Sequence, residues 1–222
     1  MGQVPPRTQA GLPLENLPAD GPVPRPIVAF DFDGTLTVRD SFIAFLKWRA
    51  GRRRYAAGLV RLLPAALAYL FHRDRGRIKA AAVREFLRGV PRERLEADAR
   101  EFAERFSRSL LRPDAVAAWR RWRADHVRLV IVTASPELTV APFARGLGAD
   151  AILGTGLAFD PDERLTGGLS TPNCRGPEKV RRLTAAFGSE FELKAAYGDT
   201  SGDREMIAAA EIRGYRVFQG TP

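Results

Sequence analysis

Short apolar runs bounded by turn residues recur along the chain, and they predict strands that are buried on both faces. Three are clear and two are weaker: "PIVAFDF" from Pro26, "VRLVIVTAS" at 127–135, "LKAAYGD" at 193–199, "DAILGT" at 150–155 and "YRVF" at 215–218. Between them, "PELTVAPFARGLG" and "PEKVRRLTAAFG" each begin at proline and stop at glycine, as helices do. Strands alternating with helices predict an α/β fold, with a Rossmann-like parallel sheet covered by helices on both faces.

About 85 residues separate the first two predicted strands, and their apolar positions recur at helical spacing. These positions are Ile78, Val83, Phe86, Leu87, Val90, Leu95, Phe102, Phe106 and Leu110. We therefore predict a helical cap at 39–112, inserted after the first strand, and a catalytic core formed by 27–38 and 113–222. Within the core, "GLAFDPDERLTGGLS" has two short runs around a turn and predicts a β-hairpin.

Composition narrows the setting. With 222 residues, 45% of them hydrophobic, the chain can bury the core of one sizeable domain. Residues 1–26 are different, because seven prolines and little apolar patterning predict an extended, disordered segment without a secretory signal. The single cysteine, Cys174, excludes an internal disulfide, and two histidines are too few for a Cys/His zinc site. A reducing, cytoplasmic location is expected.

Positive charge is concentrated in the predicted cap. The chain carries +9, but residues 39–112 hold 19 Lys+Arg against 8 Asp+Glu, a net +11. Such a segment attracts a phosphorylated substrate, an acidic membrane surface or nucleic acid, although solvated helix faces in an arginine-rich protein explain it equally well. We expect no nucleic-acid partner.

The most apolar stretch, "YAAGLVRLLPAALAYLF" at 55–71, has two interpretations. Its 17 residues include Arg61 and Pro64 and fall short of a membrane span. Arginines at 52–54 and at 73, 75 and 77 flank it, which suits a helix lying on anionic lipid. A helix in the core of the cap with cationic ends is the alternative, and we favour it.

Two aspartates, Asp31 and Asp33, follow the first strand, and Asp199 follows another. Like carboxylates raise each other's pKa, so such a group is costly unless a cation or a chemical task requires it. Mg²⁺ prefers carboxylate, water and phosphate oxygens. With the metal present, one aspartate can attack phosphorus while its neighbour exchanges the proton.

Ser135 and Lys179 extend this candidate site. Ser135 ends a strand, where it would either cap the next helix or bind a phosphoryl group. Lys179 lies in the first turn of a predicted helix, where a cation opposes the helix dipole unless an anion is bound. Arg175 is a competing candidate for the same role.

The motifs "DFDGTLT", "IVTAS", Lys179 in "CRGPEKV" and "GDTSGD" resemble, in order, those of the haloacid dehalogenase superfamily of phosphatases. The helical insertion after the first motif is similar to the capped subclass that includes phosphoserine phosphatases and some phosphatidylglycerophosphatases. The resemblance covers about residues 27–218. It implies a Mg²⁺-dependent phosphohydrolase that passes through an aspartyl-phosphate.

The resemblance also implies roles for single residues. Asp31 would be the nucleophile and a metal ligand, and Asp33 the general acid and base that lends the metal its backbone carbonyl. Asp199 would be a further ligand, supported by Asp203, for which capping of the following helix is an equal alternative. Ser135, Lys179 and Thr35 would bind near the phosphate.

Substrate identity stays open. Asp40 matches an acidic substrate-binding position of phosphoserine phosphatases, but it also suits a helix N-cap. Val83 and Gly202 replace an arginine and an asparagine of those enzymes, which weakens serine as the leaving group, and Lys79 or Arg84 are nearby substitutes. The alternatives are a phosphoserine-like small phosphomonoester, a phospholipid head group approached at the inner face of a membrane, and a non-catalytic phospho-signalling or interaction module.

Overall fold

The computed structural model describes residues 25–72 and 75–222. Within these ranges it describes the side chains of all residues except 68–72 and 75. The predicted disordered segment 1–26 lies outside the described residues except for its last two. Arg73 and the side chain of Arg75, which were expected to flank the apolar stretch, also lie outside them.

A five-stranded parallel sheet forms the centre of the molecule, in the order β3-β2-β1-β6-β7. Its strands are β1 (Ile27–Phe30), β2 (Arg128–Pro136), β3 (Ala151–Thr155), β6 (Leu193–Gly198) and β7 (Ile212–Tyr215). The predicted α/β fold is confirmed. Every residue of β1 and β3 is buried, as expected for strands covered on both faces.

Alternate residues of the strands build two hydrophobic clusters, because successive side chains point to opposite faces. Val28 and Phe30 join one cluster, and Ile27 and Ala29 join the other. Besides helices of the insertion, α5 (Pro113–Arg123) and α6 (Glu137–Leu147) contribute to the first cluster, and α7 (Pro177–Phe187) and α8 (Arg204–Ala208) contribute to the second.

The last strand lies three residues earlier than predicted. The sequence favoured "YRVF" at 215–218, whereas β7 is Ile212–Tyr215 and pairs with β6. Gly214 makes this pairing possible, since a Cβ there would lie 2.1 Å from the ring of Tyr197. Phe218 follows the strand and packs its ring 5.2 Å from Tyr197.

α5 lies just before β2, and four further helices of the described residues form the insertion between β1 and α5: α1 (Ser41–Arg61), α2 (Leu63–His72), α3 (Arg75–Leu87) and α4 (Arg92–Leu110). Their buried side chains, including Val83, Leu87 and Phe102, belong to the same cluster as Phe30 of the sheet. The inserted helical cap is thereby confirmed as a layer packed on one face of the core. The two connections to the core lie side by side, because Thr37 and Leu111 form an antiparallel bridge.

Residues 55–67 of the apolar stretch do not form the core of the cap, contrary to the interpretation we favoured, and the side chains of 68–71 lie outside the described part of the chain. The stretch is divided between α1 and α2, and one face packs on α3 through Tyr55 and Gly58, which contact Phe86. The other face is open, with Val60 and Leu63 65% and 56% exposed. In the part of the chain described, no helix has the length and hydropathy to cross a membrane.

The predicted β-hairpin is present as β4 (Leu157–Phe159) and β5 (Leu165–Leu169), paired antiparallel. Gly167 of β5 lies against Arg84 of α3, where an added Cβ would be 3.0 Å from the Arg84 backbone. The hairpin of the core therefore packs against the cap.

Candidate active site

The first and sixth strands bring Asp31 and Asp199 together. Phe30 pairs with Tyr197, and the Asp31 amide donates to the Tyr197 carbonyl over 2.8 Å. Both aspartates therefore leave adjacent parallel strands at their carboxyl ends, the edge at which α/β sheets bind ligands.

Gly34 allows the turn after β1 to approach Asp199. Its φ of +85° is one that side-chain-bearing residues avoid, and a Cβ there would lie 2.3 Å from Asp199 Oδ2. The Thr37 amide closes the turn by donating to the Phe32 carbonyl. Glycine in "DFDGT" is thus required both by backbone geometry and by space.

Three carboxylates form a cluster at this point: Asp31, Asp199 and Asp203 each offer an oxygen within 4.8 Å of the others. Asp199 Oδ1 is buried and has no hydrogen-bond partner among the described residues. A buried carboxylate oxygen without a partner is costly, and a cation would satisfy it. The all-oxygen donor set suits Mg²⁺.

Lys179 bridges two members of the cluster. Its side chain is 1% exposed, and the ammonium nitrogen lies 2.6 Å from Asp31 Oδ1 and 2.7 Å from Asp203 Oδ1. It also donates to the Val132 carbonyl. Burial opposes the charge, but Asp31 and Asp203 outweigh that effect and raise the pKa of Lys179. These carboxylates explain how a cation is tolerated in the first turn of α7.

The two partners of Lys179 differ in their own titration. Burial raises the pKa of Asp31 to about 7, and Lys179 offsets this only in part because Asp203 and Asp33 add negative charge. Burial acts against ionisation of Asp203 as well, yet Lys179 and the donors of Thr200 bring its pKa below the usual range. The charged form is therefore favoured more strongly at Asp203 than at Asp31.

Asp33 points into a separate hydrogen-bond set. Its Oδ1 accepts from the Ser41 amide at 2.7 Å and from the Ser41 hydroxyl, and its Oδ2 accepts from the hydroxyl of Ser135. Its side chain is therefore engaged away from the three-carboxylate cluster, which leaves the backbone carbonyl for the ligand role that the resemblance implies. Sequence reasoning missed Ser41, which looked like an ordinary residue at a helix start.

Ser135 and Asp203 do not cap the helices that follow them. α6 and α8 have no side-chain hydrogen bond from either residue at their N-termini. Asp203 Oδ2 instead accepts from the amide and hydroxyl of Thr200, both at 2.9 Å. Neither residue caps the helix that was predicted for it, although Asp203 forms a capping box with Thr200 in the 3-10 turn Ser201–Asp203. Both residues line the cavity.

Thr35 and Asp40 lie at its edges. The Thr35 hydroxyl approaches Asp31 Oδ2 at 3.4 Å, a long contact. Asp40 caps α1, accepting from the Ile43 amide at 2.8 Å, and its side chain also lines the cavity above the site. Capping and substrate contact are thus compatible at Asp40.

A cavity of about 650 Å³ lies between the strand ends and the cap. Its polar floor contains Asp31, Asp33, Ser135, Lys179 and Asp199, and its cap wall contains Phe42, Ile43, Leu46, Ile78 and Ala82. The sequence-predicted site residues therefore converge, apart from Thr35, which does not line the cavity.

One of the two proposed substitutes for the missing substrate residues, Lys79, reaches the cavity, and so does Arg175, the competing candidate for the role of Lys179. Lys79 lines the cavity and donates to the Ala134 carbonyl, and burial lowers the pKa of its ammonium. Arg84 does not line it, and Val83 is fully buried in the cap. Arg175 crosses Gly202, where a Cβ would lie 2.2 Å from the guanidinium, and donates to Ser201 at 2.8 Å.

Comparison with known proteins agrees with this geometry. Residues 28–208 match the model of the haloacid dehalogenase-like hydrolases. Protein CicA of Caulobacter vibrioides is 62% identical over 196 residues, 88% of each chain. A protein of unknown function from Bordetella pertussis Tohama I shares the fold with a TM-score of 0.69, at 24% identity over 84% of this chain and 87% of that one. A phosphoserine phosphatase solved as a phospho-aspartyl intermediate analogue has a TM-score of 0.56, at 18% identity over 86% of each chain. The chain belongs to the haloacid dehalogenase-like hydrolase family.

Proposed function

We propose that this hydrolase cleaves phosphomonoesters with Mg²⁺ and passes through an acyl phosphate (aspartyl-phosphate) on Asp31. The observation that carries the proposal is the buried oxygen Asp199 Oδ1, which has no hydrogen-bond partner within residues 25–72 and 75–222 and lies beside Asp31 and Asp203 on the floor of the cavity. Asp31, Asp199 and the Asp33 carbonyl would hold the ion, with Asp203 in support. When bound, Mg²⁺ neutralises phosphate charge and favours the ionised form of Asp31.

The protein's own groups supply the remaining chemistry. An Asp31 carboxylate oxygen attacks phosphorus, and the bond to the leaving oxygen breaks. Asp33 gives that oxygen a proton, then takes one from the water that hydrolyses the acyl phosphate. Lys179 and Ser135 bind phosphoryl oxygens. Because both side chains are buried, bulk water screens their interaction with the phosphate charge only weakly.

The cavity wall gives information about the leaving group. Apolar side chains of α1 and α3 surround the space beyond the phosphate position, and Lys79 is a cation among them. A phosphoserine-like substrate would place a carboxylate on Lys79 and an amine on Asp40. The amount of apolar wall favours a second candidate, a phospholipid head group with a longer, amphiphilic leaving group.

Hydrolysis of p-nitrophenyl phosphate tests the reaction class. We expect turnover that requires Mg²⁺ and is lost in Asp31→Asn. Asp33→Asn should slow turnover by about 10²–10⁴-fold and accumulate acid-stable phosphoenzyme, because the second step loses its base. Asp162→Asn, on the exposed hairpin turn, is the matched control. Normal turnover in a folded Asp31→Asn protein would refute the nucleophile assignment.

To separate the substrate candidates, kcat/KM should be compared for phosphoserine and for a short-chain phosphatidylglycerophosphate. If the leaving group of the preferred substrate is negatively charged, Lys79→Met should remove most of the difference in kcat/KM between the two substrates. An equal loss of kcat/KM for p-nitrophenyl phosphate would instead assign Lys79 to the phosphate itself.

A further inference from the structure

The outer face of α1 and α2 is an exposed apolar ridge. We define the ridge by Leu59, Val60, Leu63 and Leu67, which are 47%, 65%, 56% and 58% exposed. Their spacing of one, three and four residues places them on one side of nearly continuous helical turns. The opposite side is already satisfied, because Tyr55 stacks on Phe86 with ring centroids 5.4 Å apart.

Arginines accompany the ridge. Arg52 and Arg53 are exposed at one end of it, and the Arg61 side chain is 64% exposed within it. Arg61 does contact Glu85 at 3.2 Å, but Glu85 also receives Arg54, so the group keeps positive charge. The surface thus combines apolar side chains with cations whose stems can lie along them.

We propose that this ridge docks on the surface of an anionic lipid bilayer. Leucine and valine side chains would enter the interface while Arg52, Arg53 and Arg61 contact lipid phosphates. A second copy of the chain suits the ridge less well, because a two-fold contact would bring the arginines of both copies together. α1 is interrupted at Gly51, where φ is +71° and ψ is 164°. Its first half provides Phe42 and Ile43 of the cavity wall, and its second half carries Leu59 and Val60 of the ridge.

Flotation of the full chain with phosphatidylcholine vesicles, with and without phosphatidylglycerol, tests the proposal. We expect binding that needs the anionic lipid and weakens at high salt. Val60→Asp with Leu63→Asp should abolish it. Arg52→Glu with Arg53→Glu should lower the partition coefficient at least about tenfold, since each arginine near the surface contributes substantially.

Arg120→Glu with Arg121→Glu is the matched control, because it makes the same change of charge at exposed positions of α5. It should leave binding close to that of the wild type. Turnover of p-nitrophenyl phosphate should be normal in all three double variants, which separates loss of docking from misfolding. It also keeps the test independent of the proposed substrate.

Three outcomes would overturn the inference. The first is absence of binding to anionic vesicles at low salt, and the second is equal loss of binding in the control variant. The third is that the wild-type protein does not bind vesicles but is a dimer by light scattering, and that the Val60→Asp, Leu63→Asp variant is a monomer. The last result would assign the ridge to self-association.

Discussion

Gly34→Ala is expected to damage the metal site more than the fold. The new methyl group would lie 2.3 Å from Asp199 Oδ2, so the carboxylate must retreat by roughly 1 Å to reach ordinary contact distance. A φ of +85° adds about 1–2 kcal/mol of backbone strain for alanine. Mg²⁺ requires near-ideal ligand geometry, and a 1 Å error in an active site can cost about 10²-fold in rate.

Gly89→Ala provides the matched control. Gly89 has a similar φ of +78°, but a Cβ there would have no neighbour within 4 Å. Both variants should lose about 1–2 kcal/mol of unfolding free energy in urea. Only Gly34→Ala should raise the Mg²⁺ concentration for half-maximal hydrolysis of p-nitrophenyl phosphate, by at least about tenfold.

The result that would refute this reasoning is specific. If Gly34→Ala keeps the wild-type Mg²⁺ requirement and kcat, the close approach to Asp199 has no role in the metal site. Equal losses of activity in both glycine variants would show that backbone strain alone accounts for the effect.

Two further predictions concern charge in the cluster. Lys179→Met leaves the buried Asp31 and Asp203 carboxylates without their cation, so in Mg²⁺-free urea titrations it should cost about 3–5 kcal/mol at pH 7.5. Without the lysine, burial raises the pKa of both carboxylates, so the loss of unfolding free energy should shrink as the pH falls and the carboxylates become protonated. Equal losses of unfolding free energy at pH 4.5 and 7.5 would contradict the pairing. The pKa of about 7 for Asp31 means that its proton must leave before the carboxylate can bind metal. Mg²⁺ affinity should therefore rise with pH from about 6 to 8 with proton release, measured by calorimetry in two buffers of different ionisation enthalpy; constant affinity over that range would argue against a protonated Asp31.

The sequence was sufficient for features that depend on neighbours along the chain. The run ending at Asp31 is buried on both faces, as its unbroken apolar pattern predicted. Lys179 was recognised through its order among the motifs and its unfavourable position in a helix. These features could be predicted because each depends on the residues that surround it in the sequence, and packing between distant segments did not alter them.

Features that depend on packing between distant segments were missed. Ser41 meets Asp33 only because α1 lies against the turn after β1, and a helix-start serine carries no sign of this. β7 was displaced because "IRGY" lacks an apolar run, while Gly214 is needed to accommodate Tyr197. The stretch 55–71 was assigned to the cap core because apolar composition does not reveal that its partner α3 covers only one side.

The bridge between Thr37 and Leu111 has a consequence for how such enzymes diversify. In an antiparallel pair the backbones are about 4.5–5.5 Å apart, so a short loop could join the core at these two points. The whole insertion can then be exchanged as one module that leaves Asp31, Asp199 and Lys179 in place, provided that its first helix again offers Asp33 the donors that Ser41 supplies. Selection for new substrates can act on α1 and α3, whose side chains wall the cavity, without rebuilding the chemistry beneath them.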